Sequence, residues 1–318
     1  MKCCDEYLLG SILDVWTYEQ IVLANGIANS IYSFEYEGES IKFPCGRWQI
    51  DFLMMLKDMG IHYTELSFEE VESMHSYEDI IILVPKEFLR YGEKIRWNHI
   101  QIATVYTAFQ IKECCGDQYV LSLPGPYGDI QEKIGGDLLK KIRQLKVVPF
   151  ESGLRIIKIS KKPYDLRIID SMKENLMLCR ENAYRKKERY ECFSGPQFYV
   201  EFEKCVAEFF EAGSLTSIDR VKSHIFISTL NAGGEGFFRG SFFKQYLKYK
   251  NKGDKDLEPE IQNEICMLIC LWNEICRKLR MAEKEEMNQK FKEPVFDMIQ
   301  LVREKEMYVI EKLLEQEA

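Results

Sequence analysis

The feature that most constrains this chain is a change in the spacing of its apolar residues near position 164. Before that position, apolar residues form short alternating or β-branched runs such as Asp79–Val84, and these runs predict strands. Beyond it, apolar residues recur at helical spacing, as over 258–281, and this spacing predicts amphipathic helices. The pattern therefore predicts an α+β fold in two domains, with a helix and an antiparallel sheet in 1–163 and only helices in 164–318.

Local patterns place the individual elements of these domains. Apolar residues at helical spacing predict a helix over 4–16, and a second amphipathic helix over Trp48–Met59 ends at the glycine that follows it. Residues 99–110 and 118–123 flank a Cys-Gly-Asp turn and predict a long antiparallel hairpin, with Arg155–Ile159 as a further strand of the sheet. The helices predicted in the second domain cover 165–185, 197–212, 215–231, 236–251, 258–281 and 294–316.

Charge and apolar content exclude several classes of protein. The chain has 318 residues, of which 51 are acidic and 43 basic, and its net charge of −8 is unlike the basic surplus of a general nucleic-acid binder. No run approaches the roughly 18 uncharged apolar residues of a membrane helix, and the acidic N-terminal sequence MKCCDEYLLG differs from a signal peptide. The 11 cysteines are an odd number and lie mostly in apolar patterns, which indicates reduced thiols. We therefore expect a cytoplasmic protein.

Cys4 is the strongest candidate for a catalytic nucleophile. It directly precedes the acidic and apolar residues of the first predicted helix. A helix N-terminus suits a reactive thiol, because the positive end of the helix dipole lowers the pKa of a thiol placed there. The neighbouring Cys3 remains an alternative, and an ordinary N-terminal role stays open for both thiols. Adjacent cysteines lack the spacing of a zinc site, so no metal is predicted.

The other cysteines are interpreted as structural. Cys45 in FPCGRWQIDF competes with Cys4, because Cys-Gly-x-Trp is superficially similar to the papain active-site sequence. However, the nearby helix is predicted to begin around Arg47, downstream of that cysteine. Cys114 and Cys115 lie in the predicted hairpin turn, where we expect exposed and non-essential thiols. The remaining cysteines fall largely on apolar helical faces and are interpreted as core residues: Cys179, Cys192, Cys205, Cys266, Cys270 and Cys276.

The chain contains only four histidines, so a candidate general base can be searched for exhaustively. A cysteine enzyme needs an imidazole near its thiol and a third group that fixes the imidazole tautomer. His99 opens a predicted hairpin strand directly after Arg-Trp-Asn, where its imidazole would stand at a strand edge. We therefore assign His99 as the candidate general base. His62, His75 and His224 are interpreted as packed or surface residues, because their neighbours supply no mechanism.

Several segments carry a resemblance to a known family. Cys4 is followed by Leu9 and Leu13, and the second predicted helix ends in Met-Gly-Ile at 59–61. IIILVPKEFLRYGEKIRWNHIQIATVYTAF and QYVLSLPGPYG follow, and GFFRGSFFKQYL and CLWNEICRKL provide weaker similarity in the helical half. Together these segments resemble the papain-fold family named for the butirosin-biosynthesis acyltransferase. The resemblance implies a papain-like cysteine protease fold in the first domain, followed by the helical domain.

The chain departs from that family at the third catalytic residue. Papain-like relatives have Asp or Asn before a proline, whereas this chain has Ser-Leu-Pro at 122–124. Asp117, Ser122 and Asp129 are therefore all candidates for the group that orients the imidazole, and a Cys–His dyad stays open. The backbone N–H of Cys4 would supply one donor of the oxyanion hole, and the sequence identifies no second donor.

The resemblance implies an enzyme that moves an acyl group from a carrier-protein thioester to an amine. The relatives of the butirosin-type family include the amide synthases of thiotemplated assembly lines, such as the amide synthase of closthioamide assembly. Cys4 would hold the acyl group, and His99 would accept a proton first from the thiol and then from the amine. Because the substrate would arrive on the phosphopantetheine of the carrier, the enzyme would need no cofactor. A cysteine peptidase or amidase and an inactive binding module are the alternatives.

A carrier protein and a small amine are thus the expected partners, and the long helices could support a homodimer. Carrier proteins are commonly acidic, so docking needs local positive charge that the net charge conceals. Three basic clusters could provide this charge: Lys140, Lys141 and Arg143; Lys158, Lys161 and Lys162; and Arg185, Lys186, Lys187 and Arg189. We select the third cluster as the docking site, because it is the densest.

Overall fold

The structure is a computed structural model that describes residues 4–13, 17–36, 38–47, 51–84, 107–123, 130–145, 154–160, 168–186, 190–211, 222–223, 225–227, 230, 240–252, 257–284 and 289–316. Its helices are α1 (Cys4–Leu13), α2 (Tyr18–Asn25), α3 (Phe52–Asp58), α4 (Phe68–Glu72), α5 (Gly136–Gln144), α6 (Ile168–Arg180), α7 (Pro196–Glu211), α8 (Gly240–Asn251), α9 (Pro259–Lys284) and α10 (Lys292–Gln316). Its strands are β1 (Gly26–Tyr36), β2 (Glu39–Arg47), β3 (Tyr63–Glu65), β4 (Ile80–Val84), β5 (Thr107–Cys115), β6 (Gln118–Leu123), β7 (Ile130–Gly135), β8 (Arg155–Ile159), β9 (Ala183–Lys186) and β10 (Glu191–Ser194).

The strands form two antiparallel sheets. One has six strands in the order β3-β8-β4-β5-β6-β7, and the other has four strands in the order β2-β1-β10-β9. The predicted strand Arg155–Ile159 is β8, which lies between β3 and β4. Helices and antiparallel sheets thus confirm the α+β class. Contacts within the chain divide it into two compact units, which we call the sheet unit and the helical unit.

The sheet unit consists of Lys2–Ile21 and Gln49–Leu166 and contains the six-stranded sheet. Every residue of β4 is buried, although successive side chains point to opposite faces of a sheet. Such a continuous apolar strand is expected where both faces of a sheet are covered. Full burial of one large aliphatic side chain stabilises a fold by about 1.5–3 kcal/mol, so this strand is a major source of stability.

Helix α3 of the sheet unit is shorter than predicted. The carboxylate of Asp51 accepts a hydrogen bond from the N–H of Leu53 at 2.9 Å and caps the helix start. A capping residue has non-helical backbone, so the helix begins at Phe52 and not around Arg47, which is the last residue of β2. The predicted end is confirmed, because Gly60 follows the helix with a φ of 71°.

The helical unit consists mainly of Val22–Trp48 and Arg167–Ala318. The prediction that residues after 164 form only helices is wrong, because β10 pairs with β1 and β9 pairs with β10 in the four-stranded sheet. Each of these two strands has only four residues, and in β9 half-buried and exposed residues alternate, so the apolar pattern is weak. The units also differ from a single division after residue 163, since 22–48 groups with the later part of the chain.

Three contacts explain why residues 22–48 belong to the helical unit. Strand β1 pairs directly with β10 in the middle of the four-stranded sheet. The amide of Asn175 on α6 donates to the carbonyl of Leu23 near the end of α2 at 2.9 Å. The ammonium of Lys42 on β2 lies 2.6 Å from the carboxylate of Glu201 on α7. Residues distant in sequence therefore meet through a strand pairing and two polar contacts.

Aromatic side chains form the core between the long helices of this unit. Trp272 of α9 is fully buried against Phe198 and Phe202 of α7, with ring centroids 6.2 and 5.5 Å apart. Glu306 of α10 is also fully buried, and it accepts hydrogen bonds from the Tyr199 hydroxyl at 2.5 Å and from Trp272 Nε1 at 3.3 Å. These bonds offset the cost of burying a carboxyl group and connect three helices.

Candidate functional site

Cys4 is the first residue of helix α1 in the sheet unit. The apolar side chains of Leu8, Leu9 and Ile12 are buried, and α1 packs against β5. An N-terminal helix with this apolar stripe is therefore anchored on the six-stranded sheet. The backbone of Cys4 opens that helix, where unpaired N–H groups and the positive end of the dipole lie.

His99 lies outside the described residues, as do Cys3, Asp129 and His224. The described chain resumes at Thr107, the first residue of β5. Strand β5 is therefore both the strand on which α1 packs and the next described element after His99 in the chain.

Ser122 lies on β6, one residue before the end of the strand, and its side chain is fully buried. In the sheet register it is opposite Gln110 of β5 and Gln131 of β7. Gln110 is also buried, and its Nε2 donates to the carbonyl of Glu78 at 2.5 Å. A short row of polar side chains thus crosses the sheet near the end where β5 begins and β6 stops.

Gln110 was not singled out from the sequence. A side-chain amide orients the imidazole in Cys–His–Asn enzymes, and Gln110 is opposite Ser122 in the strand register, with its amide nitrogen hydrogen-bonded to Glu78 on the β4 side. The available signal was a polar residue within the apolar part of a predicted strand. Neither the amide nor the hydroxyl carries charge, so either group could fix an imidazole by hydrogen bonding without the ionic stabilisation that a carboxylate supplies.

Asp117 occupies a different part of the hairpin. It follows Gly116, which has a φ of 59° in the turn between β5 and β6. Its carbonyl accepts a hydrogen bond from the N–H of Gly136 at 2.7 Å, and its carboxylate also lies against that first residue of α5. A negative charge at a helix N-terminus is stabilising, so the geometry gives Asp117 a structural role.

Asp117 and Ser122 are therefore not equivalent candidates. They are five residues apart along one chain segment, which in a strand corresponds to about 16 Å. Both side chains cannot orient the same imidazole at that separation. Ser122 lies near the end of the hairpin that adjoins Thr107, whereas Asp117 lies at the opposite end.

The thiols with resolved pKa shifts are not activated. Burial raises the pKa of Cys114, and a hydrogen bond from Cys115 to the carboxylate of Glu113 at 2.9 Å raises the pKa of Cys115. Burial also raises the pKa of Cys205, to about 12. A raised pKa lowers the thiolate fraction at neutral pH, so these three residues are poor nucleophiles.

Cys45 belongs to strand β2 and not to the start of a helix. Its carbonyl accepts a hydrogen bond from the hydroxyl of Ser30, the residue opposite it on β1. It therefore lacks the helix dipole that would lower a thiol pKa, and its assignment as a structural cysteine remains our interpretation.

The assignment of the later cysteines to the core is correct for some and wrong for others. Cys179, Cys192, Cys205 and Cys276 are buried. Cys266 and Cys270 are exposed, because the buried face of α9 is formed by neighbouring residues such as Ile265 and Leu268. Local apolar content therefore predicted the helix but not the orientation of these two residues.

Two other histidines lie within the described residues. His62 is exposed just after α3, and His75 is exposed in the segment between α4 and β4. Neither residue lies in the row formed by Gln110 and Ser122. Their positions are consistent with the surface role expected for them.

A comparison with protein-family models and with curated proteins finds no match to this chain. In the part of the chain that the structure describes, no helix is long and apolar enough to cross a membrane. The same part contains no group of three or more His, Cys, Asp or Glu side chains placed to hold a metal ion.

Proposed function

We propose that this protein is a cysteine-dependent acyltransferase of the papain-like type that moves an acyl group from a carrier-protein thioester to an amine. One observation carries the proposal. Cys4 opens helix α1, and α1 packs against β5, the strand that continues the chain from His99. A papain-like site pairs a nucleophile at a helix start with a histidine on the neighbouring antiparallel sheet, and we propose His99 for the second position.

In this mechanism His99 accepts the proton of the Cys4 thiol, and the thiolate attacks the carbonyl carbon of the thioester. The tetrahedral intermediate expels the carrier thiolate, which takes the proton from the imidazolium. The acyl group is then bonded to Cys4 as a second thioester, so little free energy is lost. The backbone N–H of Cys4 would stabilise the oxyanion in this step.

An amine completes the proposed reaction. Its nitrogen attacks the acyl-Cys4 carbonyl while His99 accepts a proton from the nitrogen. The intermediate expels the Cys4 thiolate, which recovers that proton, and the product is an amide. Amide formation drives the reaction forward, because an amide is more stable than a thioester.

Ser122 is the third residue that we propose for this site. Its support is its buried position near the end of the hairpin that adjoins Thr107, together with the amide of Gln110 opposite it. A hydroxyl can hold the imidazole tautomer but cannot stabilise its positive charge as a carboxylate does. The contribution of Ser122 would therefore be smaller than that of an aspartate in a complete triad.

We propose an acidic carrier protein as the partner, with docking on the basic cluster that begins at Arg185. Arg185 and Lys186 belong to β9, which is an edge strand of the four-stranded sheet, while Lys187 and Arg189 lie outside the described residues. Lys186 lies 3.2 Å from the carboxylate of Glu191, and Lys140 on α5 lies 3.5 Å from the carboxylate of Glu72 and near the ring of Phe68. Both clusters thus have one paired lysine, and we choose the cluster on β9 because it is the densest in the sequence.

A cytoplasmic location forms part of the proposal. The cysteines with described side chains form no disulfide with one another, and this is typical of a reducing compartment. The nucleophile of the proposed reaction also has to stay reduced.

Intact-protein mass spectrometry tests the proposed function. The full chain is incubated with an acyl-carrier thioester, and we expect the mass of one acyl group on the wild type and none on Cys4→Ala. Cys45→Ala and Cys3→Ala are matched controls that should acquire the acyl group normally. Addition of amines should then release an amide from the wild type.

The outcomes separate the alternatives. If the free acid is released at the same rate with and without amines, the enzyme catalyses hydrolysis, as a peptidase or amidase does, and not acyl transfer. If no acylated wild-type protein forms, the proposal is overturned and the alternative of an inactive binding module is favoured. Loss of acylation in Cys45→Ala together with normal acylation of Cys4→Ala would overturn the choice of nucleophile.

A further inference from the structure

Two exposed cysteines on α9 are not used by the proposed acyl transfer. Cys266 and Cys270 lie in the interior of this helix of 26 residues, and both thiols are exposed. The opposite face of the helix is apolar and buried, with Ile265 and Trp272 among its residues. The buried face fixes the orientation of α9, so both thiols are held on its solvent side.

Helix geometry brings these two thiols together. Residues four positions apart lie on the same face of an α-helix, with Cβ atoms about 5–6 Å apart. Because a metal–thiolate bond is about 2.3 Å long, two sulfur atoms that bind one ion linearly are about 4.6 Å apart. Cys266 and Cys270 can therefore bind one ion without any change in the backbone.

A third sulfur atom lies on the same turn. The side chain of Met267 is 42% exposed, although large apolar side chains on α9 are mostly buried. Met267 is three positions before Cys270, which places it about 60° from that residue around the helix. One exposed turn thus presents two thiols and one thioether.

We propose that Cys266, Met267 and Cys270 form a binding site for Cu(I). Thiolate and thioether ligands are soft, and this ligand set selects Cu(I) over harder cations. Structural zinc sites need four ligands, and this turn offers only three sulfur atoms. Binding forms two Cu–S bonds with the thiolates and releases two protons, and the copper keeps its oxidation state.

Other cysteines in the described chain lack this arrangement. Cys114 and Cys115 are neighbours in β5, so their side chains point to opposite faces of the strand. Cys276 lies on the same helix as the proposed site but is buried. On α9, Cys270 has helical spacing of four from Cys266 and of three from Met267, so both exposed sulfur atoms neighbour that of Cys270.

Protection from alkylation tests the site in the full chain, in a Cys4→Ala background that removes the proposed nucleophile. Copper is supplied without oxygen as Cu(I) buffered by a chelator, and N-ethylmaleimide labelling is followed for each cysteine by peptide mass spectrometry. One equivalent of Cu(I) should slow labelling of Cys266 and Cys270 by about tenfold or more, because a bound thiolate is not a free nucleophile. Labelling of the exposed Cys115 should be unchanged.

Single substitutions separate a shared site from independent binding. In Cys266→Ser, Cys270 should lose its protection against the buffering chelator, because one thiolate and the neutral thioether of Met267 bind Cu(I) more weakly than two thiolates do. Met267→Leu preserves the apolar shape and should weaken Cu(I) binding, whereas Met281→Leu on the same helix should not. The side chains of Cys266, Met267, Cys270 and Met281 all lie outside the buried core. Circular dichroism should therefore show unchanged helix content in each variant.

Three results would overturn the proposal. One is Cu(I) that leaves both thiols reactive, and another is a Cys270 that remains protected in Cys266→Ser. The third is equal protection by Zn²⁺, which would remove the preference for a soft ion. Because the experiment does not use acyl transfer, its failure would leave the role of Cys4 unaffected, and failure of acyl transfer would leave the copper site unaffected.

Discussion

The two ends of the β5–β6 hairpin differ in their surroundings. At the turn, Tyr119 is fully buried, packs edge-on against Phe68 of α4 and donates a hydrogen bond to Glu72 at 3.2 Å. At the other end, the buried polar side chains of Gln110 and Ser122 lie opposite each other. At the turn, the sheet therefore packs against helix α4, while the other end of the hairpin contains two buried polar side chains.

This difference shows that candidates on one hairpin need not have equal roles. Burial, Cys114 and Glu72 raise the pKa of Tyr119, so its hydroxyl stays a neutral donor at physiological pH. The turn that contains Asp117 is thus held by contacts that serve the fold. At the other end, Ser122 lies one residue before β6 stops, opposite the part of β5 that follows Thr107.

Removal of the proposed base should have the largest effect. We expect His99→Ala to lower the rate of acyl transfer by about 10²–10⁴-fold, because a positioned general base contributes that much. Single-turnover kinetics measure the loss, and circular dichroism checks the fold. His75→Ala is a matched control at an exposed position and should retain the wild-type rate. Full activity in His99→Ala would remove the proposed mechanism.

Charge reversal separates the basic cluster near the hairpin turn from the cluster on β9. Arg185→Glu with Lys186→Glu should raise the apparent KM for the carrier-bound substrate by about tenfold, because steering charges act mainly on association. Lys140→Glu with Lys141→Glu is the control and should change it less, because docking is proposed at β9 and each pair of substitutions includes one lysine of an ion pair. A small thioester substrate should be unaffected by either change. Equal losses on both substrates, or a KM independent of salt, would contradict docking at β9.

Ser122→Ala should have a smaller effect on the reaction. A hydrogen bond contributes about 0.5–1.5 kcal/mol, so we expect the rate to fall by up to about tenfold. The alanine nearly preserves the volume of the buried side chain, and the fold should be retained. A shift of the alkaline or acidic limb of the pH–rate profile would distinguish a role beside the imidazole from a structural one. An unchanged rate and profile would favour a Cys–His dyad.

Asp117→Asn should affect stability and not catalysis. Loss of a charge at the N-terminus of α5 should lower the free energy of unfolding by about 0.3–1 kcal/mol, as measured by urea denaturation. Asp137→Asn, in the first turn of the same helix, is a matched control for the charge effect. If Asp117→Asn slows acyl transfer more than Ser122→Ala does, then Asp117 and not Ser122 is the third residue of the site.

Local sequence patterns predicted much of the secondary structure. The runs that became β4, β6 and β8 are compact and apolar, and the long helices α7, α9 and α10 have clear helical spacing. What these patterns could not predict is pairing over long distances. Strand β10 carries little apolar signal of its own and is stabilised as a strand by β1 and β9.

The candidate site was predictable to a similar extent. The helix start at Cys4 followed from the residues beside it, because acidic residues and apolar spacing act locally. The separation of Asp117 from Ser122 required the strand register and the contact between Asp117 and α5. The exposure of Cys266 and Cys270 depended on which face of α9 is buried, and this is set by the helices packed against it.

The four-stranded sheet also imposes an order on synthesis. The chain runs from Tyr36, where β1 ends, to Glu191, where β10 begins, over an interval of 155 residues. At about 5–20 residues per second, a ribosome needs about 8–30 s to cover that distance. All strands of the six-stranded sheet emerge within this interval, while β1 still lacks its partner on one side. A nascent or truncated chain that ends before Glu191 therefore exposes a strand edge that can pair with another molecule.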